Sequence, residues 1–356
     1  AALAVALFHI FLTSPVRPQM PTALGNVFLQ GDLGVAIFFV LSGFVIAHSL
    51  DGVAVTPAVF GRFMARRLVR LHPPYVASLV LAVGVVAVSN RVLRDRVLPY
   101  PSLDSLVVHF FYLEDALGIP KINDVYWTLC LEVQFYLLFV LLTGLAQRTD
   151  RGAAAPGRES VAGRWIFFGL VTLYGCAVAA DVGVPDFPGS CLGKWPMFLG
   201  GAVVCWLVRG RVPMWIGAVH GAALLTLAVW QQDRMAAAAL LTAVALFAGC
   251  RHGPAVAWLN HPTMQFLGKI SYSLYLVHPF FGQRVANLLG RVAGSSAAAS
   301  WAVFAGTIVA AVIGAQVFWR FVEVPAINWS KRIRVGAAVR AVPGIATGAD
   351  SPARLA

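Results

Sequence analysis

Three ionisable side chains stand inside runs that are otherwise apolar: His9, Glu132 and His278. A charge at the centre of a membrane helix costs about 2.5–3.5 kcal/mol even on lenient insertion scales, so such groups mark sites more often than not. His9 lies well inside the run from Ala1 to Thr13, about 12 Å from Ala1 at the helical rise. Glu132 lies about two turns into the run that opens at Trp127, and His278 near the middle of the run 266–289, within Ser271 to Pro279. A carboxylate beside an imidazole makes an acid–base pair, because it fixes the tautomer and stabilises the imidazolium. A lone histidine in such a helix can equally serve only to hydrogen-bond a neighbouring helix.

A row of arginines suggests a second kind of chemistry. Arg62, Arg66 and Arg70 recur at i, i+4, with Arg67 three residues before Arg70, so a helix presents them as one cationic row. Guanidinium groups grip phosphates bidentately, which gives the row one use. An amphipathic anchor on anionic lipids is the other. Pro73 and Pro74 are expected to end this helix.

The rest of the chain must position these groups inside a membrane. Of its 356 residues 59% are hydrophobic and 12% charged, against about half and a quarter in an ordinary soluble domain. Mean hydropathy is +0.77. That excludes disorder, argues against a soluble enzyme, and excludes an outer-membrane barrel with its short alternating strands. Cys130, Cys176, Cys205 and Cys250 lie in apolar stretches and Cys191 in a loop. They form no disulfide framework and no metal-ligand spacing, and all five read as structural.

Hydropathy and helix breakers give an all-α polytopic fold of about ten transmembrane helices, at 1–13, 33–50, 74–90, 125–146, 164–181, 195–208, 213–230, 235–250, 266–289 and 300–322. The sixth is short and Gly-rich, which suits a tilted or re-entrant segment. Segment 91–124 is polar enough to lie outside the bilayer. At roughly 20 Å the first run falls short of the roughly 30 Å hydrocarbon core, so its helix is expected to begin seven or more residues before Ala1. Alternating the loops from a cytoplasmic N-terminus puts sixteen basic and four acidic residues inside, and nine of each outside. The whole net charge of +12 then falls on one side, as the positive-inside rule requires, with both termini cytoplasmic. Orientation thus explains the basic residues without nucleic acid. Residues 1–330 read as one membrane domain and 331–356 as a flexible basic cytoplasmic tail.

Several stretches, in order, resemble the integral-membrane acyltransferase 3 family. They are Gly34 to Phe44 (GVAIFFVLSGF), Arg66 to Pro73 (RRLVRLHP), Trp127 to Tyr136 (WTLCLEVQFY), Ile270 to His278 (ISYSLYLVH) and the closing Glu323-Val324-Pro325. The resemblance covers essentially residues 1–330. It implies a ten-helix enzyme that moves an acyl group, often acetyl, from acyl-coenzyme A to a hydroxyl. In the family an arginine precedes the first-helix histidine by about ten residues. His9 takes the histidine position, and that arginine would fall before Ala1. Ala36 stands where the family often has Asp, which weakens a charged role there.

The expected assignment follows. Arg66, Arg67 and Arg70 seat the phosphates of the donor, acyl-coenzyme A, which is a substrate; no permanently bound cofactor or metal is expected. His9 acts as base or nucleophile, and Glu132 orients or polarises. Ser42, Tyr272, Ser273 and His278 line the substrate site, where interhelical hydrogen bonding is their other use. The acceptor is a hydroxyl of a cell-envelope polysaccharide or other glycan, or else of a secondary metabolite such as a macrolide. The setting is the cytoplasmic (inner) membrane of a bacterium. A proton-coupled transporter using the three buried groups as a relay, or a non-catalytic scaffold, are the competing classes.

Overall fold

The computed structural model describes residues 1–92, 98–153, 162–252, 257, 259–293 and 296–335; the tail beyond 335 and most of the 151–161 loop lie outside them. The described residues form helices and no strand. In chain order these are α1 (Ala2–Leu12), α2 (Thr22–Leu29), α3 (Gly34–Leu50), α4 (Pro57–Val92), α5 (Leu103–Phe110), α6 (Trp127–Ala153), α7 (Ala162–Ala179) and α8 (Trp195–Val208). Then come α9 (Met214–Trp230), α10 (Arg234–Arg251), α11 (Pro262–Lys269), α12 (Ser271–Ala293), α13 (Ala297–Phe318) and α14 (Val324–Lys331). Among the described residues five stretches are long and apolar enough to cross a bilayer: Thr22–Leu50, Pro57–Arg91, Trp127–Asp150, Arg234–Arg251 and Ala297–Lys331. Shorter apolar helices stand beside them, α1 and α9 among them. Large apolar side chains such as Val80, Leu173, Trp230, Leu241 and Phe321 remain exposed on the outside. A bundle with that exterior belongs in lipid.

Three helices depart from the sequence reading. Pro73 and Pro74 do not end a helix but sit inside α4, which runs unbroken from Pro57 to Val92. Two prolines remove the N–H partners of the Val69 and Arg70 carbonyls. The Tyr272 hydroxyl donates to the next carbonyl, that of Leu71, at 2.8 Å, so a tertiary contact supports the weakened turn. The ninth span is divided at Ile270 into α11 and α12. The tenth passes through a π-helical turn, Trp319–Glu323, into α14. Segment 98–124 carries α5 and packs on the bundle, with His109, Tyr112 and Glu114 buried.

The sixth span is α8, and all but one of its residues are buried. It can lie against α3 because both helices are glycine at the crossing. A Cβ on Gly43 would collide with the Phe198 carbonyl, and one on Gly201 with the Val40 carbonyl. Around this contact Phe198 stacks on Phe39 and on Phe135, each at 4.2 Å between ring centroids. The stack joins α3, α6 and α8, and it sits one turn from Ser42 on α3 and from Glu132 on α6. It thereby fixes the spacing between those two side chains.

Candidate active site

The Ser42 hydroxyl donates to Glu132 Oε1 at 2.6 Å, and the Tyr136 hydroxyl, one turn along α6, donates to the same oxygen. The Arg67 guanidinium stands over the Tyr136 ring at 5.1 Å and over Phe63 at 5.5 Å, and it donates to Ser49 Oγ at 3.4 Å. These groups border a cavity of about 290 Å³ whose wall includes Ser42, Arg67, Arg70, Glu132, Tyr136 and Tyr272. An apolar half formed by Phe38, Leu41 and Leu129 completes it.

A second cavity, of about 340 Å³, adjoins the first through Val45, Arg67 and Arg70, which line both. Its remaining polar wall is His48, Ser49, Arg66, Ser330 and Lys331. Arg209 Nη2 stands 2.8 Å from His48 Nδ1. Guanidinium can only donate, so Nδ1 is the acceptor nitrogen and Nε2–H the donor. Arg209 is itself fixed by Asp51. Among the described residues neither Arg66 nor Arg70 has an ion-pair partner. The second cavity is therefore a cationic vestibule with unspent donors, leading to a smaller chamber that ends at a carboxylate. Arg62 lies exposed outside both.

His9 and Glu132 are not in contact. The partner of His9 is His278: α1 packs against α12, and His278 Nε2 lies 3.1 Å from His9 Nδ1. The backbone decides the tautomers. His278 Nδ1 lies 3.0 Å from the Leu274 carbonyl and His9 Nδ1 3.0 Å from the Val5 carbonyl. A carbonyl only accepts, so both Nδ1 atoms carry hydrogen. His9 Nδ1–H is shared between Val5 O and the lone pair of His278 Nε2, which leaves the lone pair on His9 Nε2 free. His278 is fully buried and His9 half-buried. Neither lines the chamber, but Tyr275, one turn before His278, does. Its ring lies 5.4 Å from Phe38 and 6.1 Å from His278, and its hydroxyl bonds Thr128 at 2.7 Å. Tyr275 thus forms the partition between chamber and histidine pair.

The substrate-site group is split. Ser42 and Tyr272 face the chamber. Ser273 points the other way and donates from its hydroxyl (2.5 Å) and backbone N–H (3.2 Å) to Glu323 Oε2 on the π-helical turn. Adjacent helical residues point about 100° apart, and here that turn sends Tyr272 to the chamber and Ser273 to Glu323. Sequence reading missed His48, Tyr136, Tyr275 and Lys331. Tyr136 at i+4 from Glu132 and Tyr275 at i−3 from His278 were within reach of helical periodicity. The role of Lys331 depends on the fold of α14 back onto α4. All five cysteines are free thiols; burial pushes that of Cys191, in the segment ahead of α8, up to about 12, so it stays protonated.

A lipid-embedded bundle with a cationic vestibule and a buried imidazole pair is the architecture of a membrane-bound group-transfer enzyme. The sequence model of the acyltransferase domain (Acyl_transf_3) matches residues 1–320, and the chain belongs to that family of O-acyltransferases. It is similar to acyltransferase MdmB of Streptomyces mycarofaciens, at 28% identity over 94% of this chain and 91% of the relative. It is similar also to the exopolysaccharide production protein ExoZ of Rhizobium meliloti (29%, covering 80% and 87%) and to nodulation protein 10 of Rhizobium leguminosarum (23%, covering 69% and 70%). No solved structure matches the chain. Membership of the family sets the enzyme above the transporter and scaffold readings.

Proposed function

We propose that this enzyme moves an acyl group, acetyl in the simplest case, from acyl-coenzyme A to a hydroxyl of a cell-envelope glycan, at a centre inside a bacterial cytoplasmic membrane with both termini on the cytoplasmic side. The observation that carries the reading is the continuity of the vestibule of Arg66, Arg67, Arg70 and Lys331 with the chamber of Ser42 and Glu132. Phosphates of the donor sit among the guanidinium groups, which suit them. The uncharged arm carrying the thioester extends into the half-apolar chamber.

His9 Nε2 takes the proton of the acceptor hydroxyl as its oxygen attacks the thioester carbon. The C–O bond forms, the C–S bond breaks, and the departing thiolate recovers a proton from the imidazolium. His278, together with the Val5 carbonyl, holds His9 in the tautomer that presents Nε2. Ser42 and Tyr272 orient the reacting groups, and Glu132, fixed by two hydroxyls, polarises the chamber beside Arg67. Ser273 positions α12 through Glu323. Tyr275 must swing aside for thioester and imidazole to meet. The glycan acceptor is supported by the similarity to a protein of exopolysaccharide production.

The test is release of coenzyme A thiol from acetyl-coenzyme A by purified enzyme in detergent, with glycan and macrolide acceptors. Turnover lost in His9→Ala, with a raised donor KM in Arg67→Ala/Arg70→Ala, supports the reading. Absence of donor binding and thiol release in the wild type overturns it.

A further inference from the structure

A third cavity, of about 590 Å³, opens at the other end of the same two helices. Along α12, Tyr272 and Tyr275 line the chamber, whereas Pro279, Phe280 and Arg284 line this groove. Along α4, Arg67, Arg70 and Leu71 give way in the same sense to Ala82, Val85 and Val86. The nearest members of the two sets, Leu71 and Ala82, are eleven residues apart along α4, about 16 Å at the helical rise. His278 immediately precedes Pro279, so the histidine pair lies between chamber and groove. Asp124, on the groove wall, is close enough to His9 for their charges to interact.

The groove differs from the vestibule in charge, since carboxylates line it as well as cations. Its charges balance: Asp104 and Asp124 stand with Lys121, which pairs with Asp115 at 3.2 Å and stands over the Trp127 ring, and with Arg284, which donates to Ser89 at 3.4 Å. Its carboxylates face open space. Asp124 makes no hydrogen bond or ion pair among the described residues, and the Ser102 hydroxyl holds the carboxyl of exposed Asp104 below its usual range, so it stays an acceptor. Tyr100, 55% exposed between Pro99 and Pro101, presents an aromatic face. Carboxylate acceptors beside an aromatic ring, in a wall whose charges balance, suit a neutral molecule rich in hydroxyl donors. The volume is within the range of pockets that enclose small ligands.

The geometry points to this groove as the acceptor subsite, taking a neutral sugar ring with its hydroxyls on Asp104 and Asp124 and its apolar face on Tyr100, from the side of the membrane opposite the donor vestibule. This assignment rests on the transfer reading above.

The full chain in nanodiscs, with fluorescently tagged gluco-, galacto- and xylo-trioses as probes, tests it by two readouts: probe binding and acceptor-dependent thiol release. A triose that binds the wild type, with binding weakened about tenfold or more in Tyr100→Ala and Asp124→Asn, is the expected result. In turnover the same variants raise acceptor KM while donor KM stays within about twofold. Thiol release with unchanged acceptor KM in both variants overturns the groove and leaves the transfer reading standing. Triose binding that these variants abolish, with no thiol release at all, upholds the groove and overturns the transfer reading. No triose binding in an enzyme that turns over overturns the groove.

Discussion

His278 Nε2 lies 3.1 Å from His9 Nδ1, and backbone carbonyls one turn earlier in each helix hold the protons on the two Nδ1 atoms. In the opposite tautomer the lone pair of His9 Nδ1 would face two acceptors, the Val5 carbonyl and His278 Nε2, so together these keep the lone pair on His9 Nε2 available. His278→Ala removes one of these two acceptors, and with it the group that fixes the His9 ring, without touching substrate. We expect kcat to fall about 100-fold with donor KM little changed, within the range for general-base machinery. His278→Gln, whose amide oxygen can accept from His9, should recover part of the loss. Equal losses in both variants, or a loss expressed in KM, would show that the contact only packs α1 against α12.

Ser42 is bonded to Glu132 Oε1 at 2.6 Å, and the Tyr136 hydroxyl meets the same oxygen. A hydrogen bond to a charged group is worth about 1.5–3 kcal/mol, so Ser42→Ala should lower kcat/KM about tenfold or somewhat more. Ser42→Thr keeps the donor and should retain most of the activity. Thiol-release rates for both variants decide it, and an unchanged rate in Ser42→Ala would reduce the bond to a helix-to-helix tie.

The ionisable groups were legible because burial of a charge in an apolar run is a statement about composition alone: His9, Glu132 and His278 need no fold to be noticed. Their pairing was not legible. His9 and His278 are 269 residues apart, and which of two buried partners a first-helix histidine meets is decided by the packing of α1 on α12. Pro73 and Pro74 read as a helix end because the local rule counts lost N–H donors. It cannot see the Tyr272 hydroxyl arriving from α12 to bond the Leu71 carbonyl. Ser273 and Tyr272 were placed together by adjacency, yet the helical turn sends one to Glu323 and the other to the chamber. The arginine row was visible as a row; that Lys331 and His48 complete a vestibule around it was not.

Arg70 lines both cavities and has no ion-pair partner among the described residues. Glu323 is near enough to interact with its charge but bonds Ser273 instead, so the Arg70 N–H donors remain available to a phosphate. Arg70→Ala should raise the KM for acetyl-coenzyme A about tenfold or more, the worth of one charge-assisted contact. The wild type should lose donor affinity as salt rises, and the variant should lose it less steeply, since one fewer cation is screened. Initial rates across a salt series measure both. An Arg70→Ala enzyme with wild-type KM and salt slope would assign the row to lipid headgroups instead.

Gly43 and Gly201 let the α3 and α8 backbones touch, and the stacked Phe39, Phe198 and Phe135 rings beside them hold Ser42 against Glu132. A methyl at either glycine meets a backbone carbonyl, which has no rotamer by which to yield. Gly43→Ala and Gly201→Ala should each destabilise the bundle by about 1–3 kcal/mol. They should also lower activity, because separating the helices opens the Ser42–Glu132 bond. Gly84 in α4 has open space where its Cβ would stand, so Gly84→Ala should be neutral or stabilise by up to about 1 kcal/mol through helix propensity. Thermal unfolding of the three variants in detergent distinguishes close packing from a general dislike of alanine. If Gly43→Ala and Gly84→Ala melted alike, the crossing of α3 and α8 would not be what sets the geometry of the chamber.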